Sequence, residues 1–80
     1  MFETRVRILL RGHLWRYAGA KDPEQHVPWQ QGKSLAQVLE ELGIPREEVM
    51  LALVDGKSFP LSECPKPGQK IEILPVLNGG

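Results

Sequence analysis

The sequence predicts an α+β roll, a mixed four- to five-stranded sheet packed on one main helix. Three observations predict it. Eighty residues suffice for a single domain. Only one stretch has strong helical periodicity, and strand-like segments flank it on both sides. One helix has one apolar stripe to bury, and a small sheet is the surface available to bury it on. The domain is assigned to residues 1–76, and residues 77–80 are read as a flexible C-terminal tail ending in Gly-Gly.

Residues 3–10, "ETRVRILL", alternate, with Val6, Ile8 and Leu10 on one side and Arg5, Arg7 and Leu9 on the other. That pattern is a strand with one buried face. The segment "RGHLWRYAGAKDP" is too interrupted by Gly12 and Gly19 for a long helix and too aromatic for a plain linker, so it is read as one helical turn followed by a loop. "EQHVPW" at 24–29 is a second strand, which Pro28 confines to a sheet edge or a strand end. A tight turn at Gln31-Gly32 follows.

The helix is "SLAQVLEELG" at 34–43. Leu35, Val38, Leu39 and Leu42 recur at helical spacing, Ser34 and Gln37 form a capping box, Gly43 supplies the stop and Pro45 prevents resumption. "VMLALVDG" at 49–56 reads as a buried strand running into an Asp-Gly turn, and "KSFP" at 57–60 as its short return. A loop with Pro65, Pro67 and Gly68 leads to "KIEILPV" at 70–76, where Ile71 and Ile73 alternate with Lys70, Glu72 and Leu74.

Composition excludes several function classes. A domain this small buries only about 60–65% of the surface its unfolded chain exposes, which leaves little room for a deep active site. No apolar run approaches the roughly 20 residues of a membrane helix, and Arg5, Arg7 and Arg11 break the first apolar stretch, so neither a membrane span nor a signal peptide is expected. Cys64 is the single cysteine, which rules out an internal disulfide and a zinc knuckle. A cytoplasmic location is the expectation. Ten basic and ten acidic side chains cancel, which argues against nucleic acid as a partner. The charges are unevenly placed, with Arg5, Arg7, Arg11 and Arg16 near the start and Glu40, Glu41, Glu47 and Glu48 between residues 40 and 48. Solvated faces are the ordinary meaning of such runs.

The motifs that imitate chemistry do not survive inspection. "GKS" occurs at 32–34 and 56–58, but a phosphate-binding loop needs a glycine five residues before its second glycine, and Val27 and Leu51 stand there. His13 and His26 lack metal-ligand spacing, and no metal site is expected. Cys64 has no neighbour that would strongly stabilise a thiolate. No Ser-His-Asp constellation is arguable.

The distinctive feature is the last stretch, "PVLNGG". Glycine loses more conformational freedom on folding than any other residue, so Gly79-Gly80 is a poor end for a packed element. It suits a mobile end, either a frayed tail or one threaded through a narrow channel, where its carboxylate could reach the α-phosphorus of a bound ATP. A sulfur or amine nucleophile would open the acyl-adenylate formed, and the protein would then be substrate rather than catalyst.

With "LAQVLEELGI", "LALVDGK", "PGQKIEILPV" and the terminal "GG", nearly the whole chain resembles the ubiquitin-like sulfur carriers of the β-grasp fold, which include the small subunit of molybdopterin synthase and the thiamine-pathway sulfur carrier. The resemblance implies that Gly80 carries the reactive carboxylate, adenylated by an E1-like enzyme with ATP and magnesium and converted to a thiocarboxylate. Gly79, Asn78 and Leu77 would thread through that partner, and the chain itself would bind no cofactor. It also implies a second partner, the large subunit of a sulfur-accepting synthase, engaged through an apolar patch on the open sheet face for which Leu9, Phe59 and Leu74 are the candidates. The insertion "GHLWRYAG" between the first two strands looks more like the molybdopterin-synthase branch, although "ILPVL" stands where that branch often has aromatic residues before a Pro-Pro pair. Molybdenum or tungsten cofactor synthesis is therefore the favoured setting. Sulfur transfer to a thiazole precursor, a cysteine precursor or tRNA, conjugation as a protein modifier, and a plain β-grasp interaction module are the alternatives.

Overall fold

The computed structural model describes residues 4–19 and 22–77. Five strands, β1 (Arg5–Leu10), β2 (Glu24–Pro28), β3 (Val49–Val54), β4 (Lys57–Phe59) and β5 (Lys70–Pro75), form one sheet in the order β2-β1-β5-β3-β4. The β1–β5 pair is parallel, while β1–β2, β3–β5 and β3–β4 are antiparallel. The parallel pair places the last strand in the middle of the sheet, where both of its edges are satisfied by hydrogen bonds. β2 is an edge strand with Pro28 as its final residue, the position its missing N–H demands.

Helix α1 (Leu35–Glu41) is bounded as its local chemistry dictates. The Ser34 side chain accepts from the Gln37 N–H, and the Gln37 side chain accepts in turn from the Ser34 N–H, completing the capping box. The first helical N–H groups, of Leu35 and Ala36, donate to the carbonyls of Glu63 and Leu61 in the loop after β4. At the other end Gly43, at φ +83°, allows its own N–H to reach the Glu40 carbonyl and that of Ile44 to reach Leu39. This is the Schellman arrangement, and the buried Ile44 supplies its hydrophobic contact. The regular helix stops at Glu41, so Leu42 is half-buried beside the stripe formed by Leu35, Val38 and Leu39.

The core lies between α1 and one face of the sheet. Val6, Ile8 and Leu10 of β1, Ile71 and Ile73 of β5 and Ala52 of β3 meet the helix stripe, and Leu14, from a 3-10 turn over Leu14–Arg16, seals one end. Among its described residues the segment between β1 and β2 thus contains the single helical turn expected of it. Two details differ from the sequence reading. A second 3-10 turn, Arg46–Glu48, follows Pro45, because proline's fixed φ suits the start of such a turn even though it ends the preceding helix. β3 is not buried on both sides: Ala52 is enclosed, but Leu51 and Leu53 face away from the helix and keep partial exposure.

Candidate functional site

Two features converge at the end of β5, the chain's departure from the sheet and the sheet's open face. β5 runs parallel to β1, so it ends beside the segment that follows β1. There Gly12, at φ +59°, lies so close to Pro75 that a Cβ on it would stand 2.9 Å from Pro75 Cγ. On the other side the Val76 N–H donates to the Glu48 carbonyl at 2.9 Å. Leu77, the next residue, is 82% exposed, so the departing chain has left the packed body by that point. Asn78, Gly79 and Gly80, expected to thread and to react, lie outside the described residues.

Side chains frame this departure point. His13 Nε2 is 3.6 Å from Glu48 Oε2, and the His13 and Tyr17 rings meet edge-on with centroids 6.0 Å apart. Partial desolvation raises the Tyr17 pKa above the usual tyrosine value, and the neighbouring Glu48 carboxylate and the charge of Glu47 add to the effect. A bulge in the β3–β5 pairing between Val49 and Leu51 leaves Met50 55% exposed beside the same end of β5.

The open face bears Leu9 and Leu74, as expected, and both are partly exposed. Phe59 is not on it. The Asp55-Gly56 turn pairs Val54 with Lys57 and therefore Ala52 with Phe59, which puts Phe59 on the helix side against the core. Leu51 and Leu53 take its place: Leu51 is the register partner of Leu74, and Leu53, like Leu9, is a partner of Glu72. Four leucines thus share the open face at the end from which the chain leaves. Sequence reasoning missed Leu51 and Leu53, although an unbroken apolar run in an antiparallel strand signals a second apolar face.

Nothing in the described residues gathers catalytic groups. A groove of about 310 Å³ where α1 meets the following turn is lined chiefly by apolar residues, with Glu40 and Arg46 as its charged members. Among the described residues no cluster of His, Cys, Asp or Glu could hold a metal ion, and no helix is long and apolar enough to cross a membrane. Cys64 is a free, exposed thiol.

A family model for Mut7-C ubiquitin matches residues 4–79. Two crystal structures of small archaeal modifier protein 1 from Haloferax volcanii share the fold. One has a TM-score of 0.69 at 16% sequence identity, covering 92% of this chain and 99% of that one. The other has a TM-score of 0.68 at 18% identity, covering 95% and 99%. No curated protein sequence matches this chain. The five-stranded mixed sheet around one helix is thus the ubiquitin-like β-grasp fold implied by the sequence resemblance.

Proposed function

The chain belongs to the Mut7-C ubiquitin family, and from that premise we propose that it is a ubiquitin-like sulfur carrier, a co-substrate rather than a catalyst, with Gly80 as its reactive residue. The observation that carries the reading is the departure of the chain: among the described residues the last backbone tie to the body is at Val76, Leu77 is 82% exposed, and the sequence continues Asn78-Gly79-Gly80 without a bulky side chain. In this reading an E1-like enzyme binds ATP and magnesium, and the Gly80 carboxylate oxygen attacks the α-phosphorus. Pyrophosphate leaves, and the carboxylate becomes an acyl-adenylate. A sulfide-equivalent nucleophile then attacks the acyl carbon and displaces AMP, leaving a thiocarboxylate. Gly79 and Gly80 have no Cβ to obstruct a narrow channel, and Asn78 and Leu77 occupy its mouth.

Molybdopterin formation in the cytoplasm is the favoured destination of the sulfur, with the large subunit of a synthase as the acceptor-binding partner. Support comes from the sequence segment "GHLWRYAG" between β1 and β2, which resembles the molybdopterin-synthase branch. Thiazole, cysteine and tRNA acceptors remain the alternative destinations within the same chemistry. A second reading, a protein modifier joined to lysine amines, is favoured by the fold shared with small archaeal modifier protein 1.

The test is the intact mass of the protein purified under reducing conditions, before and after incubation with an E1-like activator from the same source, ATP, magnesium and a sulfur donor. Replacement of one oxygen by sulfur, located at Gly80 by fragmentation, is the expected result and also tests Gly80 as the terminal carboxylate. An unchanged mass with an activator proven active on another carrier overturns the reading. Gly80 found in isopeptide linkage to lysines of other proteins moves the assignment to a modifier.

A further inference from the structure

The open sheet face has a charged half as well as an apolar one, and the strand register fixes how they adjoin. Arg7 is the direct partner of His26 on β2 and of Lys70 on β5, so two cationic side chains and an imidazole lie in one row across strands spaced about 4.8 Å apart. Arg5 stands on the same face two residues away along β1. Like-signed groups directly opposite one another destabilise a sheet. Glu24 relieves part of this, placing its carboxylate 2.9 Å from His26 Nε2 and 4.0 Å from Lys70 Nζ. Arg7 receives no such relief: it is exposed, and among the described residues no ion pair forms on it. In the next row Leu9 lies between Glu24 and Glu72, and Arg11 neutralises Glu72 at 3.0 Å. Leu53, Leu51 and Leu74 extend the apolar half from there.

We propose that this face docks a protein partner presenting carboxylates beside an exposed apolar side chain. Arg7, flanked by Lys70 and His26, receives the carboxylates; Leu9, Leu53 and Leu74 receive the apolar group. A guanidinium suits a carboxylate because its fork donates two parallel hydrogen bonds. Arg7 and Leu9 are two residues apart on one strand, which sets the partner's carboxylate about 7 Å from its apolar anchor. An acidic protein surface fits better than a nucleic acid backbone, because Glu24 and Glu72 border the basic row and would repel a continuous phosphate track, and the chain as a whole has no excess positive charge. The inference holds whichever chemistry Gly80 performs, and its test does not read that chemistry.

The experiment is a titration of the ¹⁵N-labelled full chain with a synthetic peptide Asp-Leu-Glu-Leu-Asp-Leu-Glu. The controls are the same peptide with lysine at each acidic position and a single-stranded oligonucleotide of comparable length. The acidic peptide is expected to shift the amides of residues 5–9, 24–28 and 70–74 and to weaken in high salt. Arg7→Glu should weaken it at least about tenfold, the loss expected for one charge-assisted hydrogen bond, and Arg7→Gln should weaken it less. Arg46→Glu, on the 3-10 turn, should leave binding unchanged. Both Arg7 variants replace an exposed side chain, and a native amide spectrum verifies their fold. Absence of binding, equal binding by the lysine peptide, or an unchanged affinity in Arg7→Glu overturns the proposal. Tighter binding of the oligonucleotide overturns it in favour of a nucleic acid site.

Discussion

Gly12 and Pro75 touch across the point where the chain leaves the sheet: a Cβ on Gly12 would lie 2.9 Å from Pro75 Cγ, and Gly12 holds φ at +59°. Side chain and backbone conformation therefore both select glycine. A left-handed φ costs an L-residue about 1–2 kcal/mol before any clash, and Pro75 is buried and cannot easily yield. Gly12→Ala should lower stability by about 1–3 kcal/mol in urea unfolding. The Val76 amide, bonded to the Glu48 carbonyl beside this contact, should also lose protection from hydrogen exchange.

The two faces of β1 predict opposite outcomes for adjacent leucines. Leu10 is 1% exposed in the core, whereas Leu9 lies on the open face. Leu10→Ala should cost about 2–5 kcal/mol through lost burial and a residual cavity. Leu9→Ala should cost less than about 1 kcal/mol, because solvent already reaches that site. Denaturation midpoints of the two variants, with equal m-values, test the assignment of faces. Similar losses at the two positions would contradict it.

How far the sequence foretold these faces depended on alternation. β1 and β5 carry an aliphatic residue at every second position with charged residues at most positions between, so their buried sets, Val6, Ile8, Leu10, Ile71 and Ile73, are readable residue by residue. The capping box at Ser34 and the stop at Gly43 were equally readable, because their hydrogen bonds are local. β3 carries "VMLALV", which has no period, so nothing local told which of Leu51 and Ala52 faces the helix. The face of Phe59 depends on that parity through the two-residue turn, and the assignment of Phe59 to the open face failed with it. The bulge at Met50 and the contacts around Glu48 arise from pairing between distant segments, which no local pattern encodes.

Tyr17 provides a pH-dependent probe of the departure point. It is the only tyrosine, so phenolate absorbance reports it alone. Partial desolvation and the negative charges of Glu48 and Glu47 disfavour its phenolate, so its titration should fall above the usual tyrosine range. In linkage terms the unfolded chain loses this proton first on raising the pH. Tyr17's contribution to stability is therefore fully present below the ordinary tyrosine pKa and is lost as pH rises through the higher folded value. Glu48→Gln should bring the titration back toward the ordinary value, and an unshifted absorbance curve would remove Glu48 as a partner.

Gly80→Ala separates threading from folding. The described core is complete by Pro75, and Leu77 is already 82% exposed, so the substitution should leave the unfolding midpoint unchanged. In the sulfur-carrier reading the added methyl obstructs the activator's channel, and formation of the thiocarboxylate should cease under conditions where the unaltered chain is fully converted. Removal of Gly79 and Gly80 together should have the same effect. Binding of the acidic peptide to the open face should persist in both variants, because Arg7, Leu9 and Lys70 are unaltered. Normal activation of Gly80→Ala would show that a Cβ is tolerated at the reacting residue, and the steric reason for two glycines would fail even if sulfur transfer itself were confirmed.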